Sequence, residues 1–173
     1  MAATDLRSKI REVPDFPTPG VSFKDITPAL ADPEALQEII ARLAAWVEPR
    51  KPDLIVGAEA RGFILGAAIA AAAGCGFVPA RRPGKLPPET VAASYVLEYG
   101  ENALEVHPDL IPKGARVVIH DDVLATGGTV EAIRGLIEAL GAEVVGACFI
   151  IELTFLGGRE RLAGLDLHAL IEY

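Results

Sequence analysis

The densest chemistry in the chain lies in one run, Val117-Val118-Ile119-His120-Asp121-Asp122-Val123-Leu124-Ala125-Thr126-Gly127-Gly128-Thr129. An apolar stretch leads into two adjacent carboxylates and then into a loop of small residues that opens a helix. Gly127 and Gly128 let backbone amides point inward without side-chain obstruction, and Thr126 and Thr129 add hydroxyl donors. With the positive end of the helix dipole behind them, these groups form a cradle for one phosphate. Asp121 and Asp122 can accept hydrogen bonds from sugar hydroxyls or hold an ion, which a phosphate site alone would not need. The loop has no lysine for a Walker motif, and the dinucleotide fingerprint Gly-x-Gly-x-x-Gly is missing. A metal site made of His120, Asp121 and Asp122 is disfavoured because successive strand side chains face opposite sides. His120 is expected to pack inside its strand.

The elements that must position this run follow from periodicity. Leu36, Ile39, Ile40, Leu43 and Val47 recur at three- and four-residue steps, predicting an amphipathic helix over 32–47 closed off by Pro49. Residues 54–56 read as a buried strand, 57–61 as a loop, and the alanine-rich 62–73 as a returning helix capped by Gly74. Strands are expected at 76–81, 116–120, 142–153 and 167–172, with a loop over 121–129 and a helix over 130–140. Apolar strands without alternation, each followed by a helix, imply a doubly wound α/β domain with a mainly parallel sheet covered on both faces. Residues 94–98 and 103–107 look like the arms of a hairpin around Tyr99-Gly100-Glu101-Asn102, preceded by a proline-rich stretch. The excursion over 83–108 is a candidate flexible lid.

Composition narrows the class of partner. With 173 residues, 51% hydrophobic and 23% charged, the chain is expected to form a single domain, 1–173, with an irregular N-terminal segment. Sixteen basic against 24 acidic residues, net −8, argue against a nucleic-acid partner. Local cations and backbone amides can still meet a small phosphorylated ligand. Cys75 and Cys148 stand outside any Cys-x-x-Cys spacing and read as free thiols in a reducing compartment. The charged start lacks an apolar signal core, so a cytoplasmic location is expected. Residues 63–80 carry no charge, but Gly74, Gly76 and Pro79 interrupt them, so no membrane span is expected.

The 117–129 run resembles the phosphoribosyl-diphosphate signature of the type I phosphoribosyltransferases. Further segments are similar to the adenine-using branch of that family: Pro14-Asp15-Phe16-Pro17-Thr18-Pro19-Gly20-Val21 with Phe23-Lys24-Asp25-Ile26, Arg61-Gly62-Phe63, Gly84-Lys85-Leu86-Pro87, Ala93-Ser94-Tyr95 with Leu97-Glu98-Tyr99-Gly100, and Glu152-Leu153-Thr154. They span nearly the whole chain in the family's order.

The resemblance implies transfer of a phosphoribosyl group from 5-phosphoribosyl 1-diphosphate to N9 of adenine, giving AMP and diphosphate in purine salvage. By it, Ala125, Thr126, Gly127, Gly128 and Thr129 hold the 5′-phosphate, and Asp121 and Asp122 the ribose hydroxyls. Arg61, Arg81 and Lys85 grip the diphosphate, which arginine can do bidentately. Val21 and Lys24 contact adenine through backbone atoms, Phe23 packs on the ring, and Leu124 and Leu153 close the opposite face, making 1–30 a base-recognition segment. Glu98 works at purine N7 and Tyr99 shields the reacting centre. Mg²⁺ travels with the donor, the protein itself supplying no metal site, and the family implies a homodimer.

Two departures bear on the diphosphate. Glu59-Ala60 stands where the family commonly has Asp-Ser, and Pro83 replaces a third cation before Gly84. Two other readings stay open at this level: a relative using a 6-oxopurine, and a regulator that senses the donor or a nucleotide. The first should offer a lysine and an aromatic residue for the 6-oxo group, the second a DNA-binding domain or basic face.

Overall fold

The computed structural model describes residues 5–97 and 100–173, and the side chains of 94–102 lie outside that description. In chain order, β1 (Arg11–Val13) and β2 (Phe23–Asp25) pair antiparallel as a small ribbon. They are followed by α1 (Thr27–Ala31), α2 (Pro33–Val47), β3 (Leu54–Ala58), α3 (Arg61–Ala73) and β4 (Gly76–Ala80). Then come β5 (Val91–Leu97), β6 (Gly100–Val106), β7 (Arg116–Leu124), α4 (Gly128–Ala139), β8 (Glu143–Glu152), α5 (Gly158–Arg161) and β9 (Leu167–Glu172).

The main sheet has the order β4-β3-β7-β8-β9, and every neighbouring pair in it is parallel. Its residues alternate between two cores. Val56, Val117, Ile119 and Phe149 face one, which α4 closes with Ile133, Leu136 and Ile137. Ile55, Val118, Cys148 and Ile150 face the other, closed by Ile39 and Leu43 of α2 and Leu65 and Ile69 of α3. Both faces are apolar, which explains why the strands read as continuous hydrophobic runs. The doubly wound parallel architecture expected from the sequence is the one found.

Helix α2 begins where Asp32 accepts the amides of Glu34 at 3.0 Å and Ala35 at 3.1 Å, with Pro33 fixing the first turn. Such a cap stabilises a helix by about 1 kcal/mol. Helix α3 ends at Gly74, whose φ of 72° is left-handed.

Two expectations are corrected. The strand predicted to stop at His120 continues to Leu124, because Asp121, Val123 and Leu124 pair with Phe149, Ile151 and Glu152 of β8. The sheet ladder overrides the low strand preference of adjacent aspartates. The N-terminal segment, expected to be irregular, holds the β1–β2 ribbon and α1, with Leu6, Ile10 and Ile26 buried against α2 and α3. The β5–β6 pairing expected of the hairpin is present, and its base belongs to the body: Leu104 and Val106 lie in the core with α4. No helix among the described residues is long and apolar enough to cross a membrane.

Candidate active site

Strands β3 and β7 are neighbours, yet β3 continues through α3 to β4 on one side while β7 continues through α4 to β8 on the other. Their carboxyl ends therefore flank a topological switch point, where an open α/β sheet leaves a crevice. The N-termini of α3 and α4 both open there, at Arg61 and Gly128.

The glycine loop is built as the sequence demands. Gly127 has a φ of 80°, and a Cβ on it would lie 3.0 Å from the Gly158 carbonyl oxygen and 3.2 Å from Leu162. Both conformation and space require glycine. Gly158 in turn backs the loop so closely that a Cβ there would collide with the Ala125 carbonyl oxygen. Ala125 to Thr129, with Asp121, Val123, Leu124 and Val130, line a cavity of about 90 Å³ at the start of α4.

This cavity shares Asp121, Val123 and Ala125 with a larger one of about 230 Å³, which Asp122, Arg61, Val21, Ser22, Phe23, Lys24 and Leu153 complete. Arg61 donates from Nε to Asp122 Oδ2, joining α3 to β7. The Asp122 side chain is 5% exposed and that of Arg61 45%, so a buried acceptor holds a guanidinium that still meets solvent. Asp121 accepts the amide of Asp122 at 2.9 Å. Its burial and then the neighbouring Asp122 charge push its carboxyl well above the usual range, against the smaller opposing pull of that amide and of Arg61. Gly62 lets α3 approach this point: a Cβ there would lie 2.9 Å from the His120 carbonyl oxygen and 3.3 Å from Asp121 Oδ1.

Opposite the carboxylates stands β2. The Arg61 guanidinium lies 5.3 Å from the Phe23 ring centroid, and Phe16 packs edge-on to Phe23 at 5.3 Å. The Lys24 ammonium is engaged by Glu12 at 2.6 Å, the Ser22 hydroxyl at 3.1 Å and the Tyr173 ring at 4.3 Å. The Val21 amide donates to Thr18 and its carbonyl accepts from Phe16, both at 3.2 Å, fixing the turn that carries it. Val21, Ser22 and Leu153 also border an apolar cavity of about 670 Å³ with Pro17, Phe155 and Leu156.

Of the cations, Arg81 and Lys85 line none of these three cavities. Arg81 connects to the site through Glu59, two residues before Arg61, and Lys85 is tied to Arg81 through its carbonyl, which Arg81 Nη1 meets at 3.1 Å. The Glu59 carboxylate, 6% exposed, accepts Arg81 Nε at 3.3 Å, the Arg82 amide at 2.9 Å and Arg82 Nε at 3.3 Å. Burial raises the Glu59 pKa, but these donors outweigh it and hold the carboxyl below its ordinary value. Leu124 is 1% exposed in the core and borders the glycine-loop cavity, whereas Leu153 borders the one beside Phe23. Glu98 and Tyr99 lie outside the described residues. His120 packs as expected, fully buried, with Nδ1 3.0 Å from the Cys148 carbonyl. Among the described residues no three metal-ligating side chains cluster.

Sequence reasoning missed Glu59 and Arg82 as partners and Gly158 as the buttress of the loop. Glu59 was visible as a departure, but nothing local tied it to Arg81. The Gly157-Gly158 pair was the available signal for a close approach.

A glycine loop, two adjacent carboxylates of which Asp122 is buried, and Arg61 thus meet at the switch point of a parallel sheet, the arrangement expected of a type I phosphoribosyltransferase. The phosphoribosyl transferase domain family model matches residues 28–161, and the chain belongs to this family. Within it, the branch is that of the adenine phosphoribosyltransferases. The chain is 54% identical to the enzyme of that name from Desulfitobacterium hafniense, over all of both chains. The crystal structure of the Thermoanaerobacter pseudethanolicus adenine phosphoribosyltransferase superposes with a TM-score of 0.95 at 52% identity, covering 98% of each chain. That of the Saccharomyces cerevisiae enzyme, complexed with an imino-altritol bisphosphate and adenine, gives 0.92 at 38% identity over 97% of each chain.

Proposed function

We propose that this crevice transfers the 5-phosphoribosyl group of 5-phosphoribosyl 1-diphosphate to N9 of adenine, releasing diphosphate and forming AMP. The observation that carries the reading is the adjacency of the two cavities: the glycine-loop cavity shares Asp121, Val123 and Ala125 with a space walled by Phe23, Arg61, Asp122 and Leu153. One end suits a 5′-phosphate, the middle suits ribose hydroxyls, and the far end suits a flat base. The solved relative that holds both a sugar-bisphosphate analogue and adenine supports the same pairing of ligands.

The Ala125 to Thr129 loop takes the 5′-phosphate on amides and hydroxyls. Asp121 and Asp122 accept from the ribose 2′- and 3′-hydroxyls. Adenine lies against Phe23, its edge read by the second lone pair of the Val21 carbonyl, whose amide is committed to Thr18, and by the backbone of Lys24, with Leu153 beside it and Leu124 supporting the floor. Arg61, Arg81 and Lys85 take the diphosphate. As the bond from C1′ to the diphosphate oxygen breaks, positive charge develops on the ribosyl ring, and N9 closes on C1′. Glu98 accepts the proton adenine carries at N7, and Tyr99 screens the centre. The activated sugar would otherwise meet water, so the 83–108 hairpin serves as a lid.

Mg²⁺ accompanies the donor, held chiefly by diphosphate oxygens and water. The donor set fits that arrangement, since one of its two adjacent carboxylates is already committed to Arg61. It supplies charge neutralisation on the leaving group. The enzyme acts in the cytoplasm as a homodimer, the state implied by its resemblance to the family.

The test is direct. Incubated with Mg²⁺ and the donor, the protein yields nucleotide with adenine and none with hypoxanthine or guanine. Product from a 6-oxopurine instead would reassign the base, and no product from any base would overturn the transferase reading in favour of a sensor.

A further inference from the structure

Glu105 of β6 is a carboxylate only 6% exposed, and the chemistry above makes no use of it. One oxygen accepts the Leu86 amide at 3.3 Å and the other the Thr90 hydroxyl at 3.0 Å. Burial raises its pKa, but those two donors and the amides of Lys85 and Gly84 outweigh burial and hold it below the ordinary range. The Leu86 amide thus meets one buried anion at a turn that Gly84 permits with a φ of 75° and that the Lys85 amide closes on the Arg82 carbonyl at 3.3 Å. The main chain of the same residue exchanges two hydrogen bonds with Arg81: Arg81 N–H to Glu105 O at 2.9 Å and Glu105 N–H to Arg81 O at 2.7 Å. Arg81 Nη1 then donates to the Lys85 carbonyl at 3.1 Å. One residue therefore fastens both ends of the cationic segment 81–86.

The choice of partners matters. A buried carboxylate is costly to desolvate and most often satisfied by a cation. Glu105 draws on one amide and a hydroxyl instead. Among the described residues the Lys85 ammonium has no ion-pair partner, so its charge remains available.

We propose that Glu105 is a positioning residue for the diphosphate half of the donor, holding the 84–86 turn so that Lys85 is presented to the leaving group. It acts through the backbone and does not touch substrate. The inference rests on the donor assignment made above and extends it to a residue outside the recognised motifs.

Glu105→Gln keeps the shape and the main-chain bridge to Arg81 while removing the charge that holds the Leu86 amide. The donor KM and the inhibition constant of diphosphate should rise together by about tenfold, the scale of a lost hydrogen bond to a charged group. AMP carries no diphosphate, so its dissociation constant, measured by calorimetry, stays within about twofold of wild type. Thr90→Val removes one donor to Glu105 and shifts the same two constants in the same direction by less. It decides the question if the glutamine variant does not fold. Unchanged diphosphate inhibition, or AMP affinity lost in equal measure, overturns the proposal. A wild type that makes no AMP from adenine overturns the donor assignment and this inference with it. A wild type that makes AMP beside a variant with unchanged diphosphate binding overturns this inference alone.

Discussion

Arg61 Nε donates to Asp122 Oδ2 across the head of the sheet, so the residue proposed to grip the diphosphate and one proposed to hold the ribose hold each other. Under that proposal the donor must exchange the pair for two new ones, guanidinium to diphosphate and carboxylate to ribose hydroxyl. Arg61→Ala leaves a buried carboxylate uncompensated and removes a bidentate grip, and the donor KM is expected to rise by more than about tenfold. Arg61→Lys recovers only part of this, because an ammonium lacks the planar fork. Initial-rate kinetics with the donor varied at saturating adenine checks both. Full activity in the lysine variant would mean that Arg61 acts as a point charge.

Glu98 is tested by separating turnover from binding. Glu98→Gln preserves size but cannot take the N7 proton, so turnover should fall by about 10²-fold, the lower end for a general acid or base. Donor KM should hold within about threefold, since Glu98 meets the base and not the phosphates. An unchanged turnover number removes the residue from the chemistry.

How legible was this in the sequence? The 117–129 run could be read whole because its parts are contiguous: strand, carboxylates, glycine turn and helix start follow one another along thirteen residues. The buried strands were equally plain, since both faces of the sheet are apolar. Pairings between distant positions were not legible. Glu59 is 22 residues from Arg81, and Gly158 meets Ala125 only because α5 returns over the end of β7. A carboxylate in a sequence looks the same whether it faces water or is buried beneath two arginines, as Glu59 is. The extension of β7 through Asp121 and Asp122 was hidden for a related reason: local propensity opposes it, and the β8 ladder supplies what propensity lacks.

His120 gives the fold a pH dependence of its own. Burial pushes its pKa down to about 4, against smaller upward pulls from the Cys148 carbonyl and the Asp122 charge, and Nε2 has no partner among the described residues. An unfolded chain takes up the proton near 6.5, so between about 6.5 and about 4 the unfolded state binds more protons and stability falls as pH falls. The full shift corresponds to about 3 kcal/mol. Asp121, with its raised pKa, works in the opposite sense, so the contribution of His120 is read by difference. Urea unfolding at several pH values across this window should show a steeper loss for wild type than for His120→Leu. Parallel curves would assign the slope to other groups.

Gly158 lies outside the recognised phosphate motif, yet its backbone forms the wall behind it. An added Cβ meets the Ala125 carbonyl oxygen and, at 3.0 Å and 3.1 Å, the Leu124 side chain. Neither can retreat easily: Leu124 is in the core, and the Ala125 carbonyl belongs to the loop proposed to take the 5′-phosphate. Gly158→Ala should therefore push the loop toward its ligand, raising the donor KM and weakening AMP by a similar factor, because both carry the 5′-phosphate. Overpacking of this kind costs about 1–3 kcal/mol, and a drop in melting temperature should accompany it. Gly164→Ala is the control: its φ of 89° imposes backbone strain, but no neighbour lies within 4 Å of the added Cβ. Melting temperature should fall there while AMP affinity stays put. If both variants lose AMP affinity equally, general destabilisation accounts for the effect and the contact with Ala125 does not; if only Gly158→Ala loses it, the wall behind the loop sets the geometry of the phosphate site.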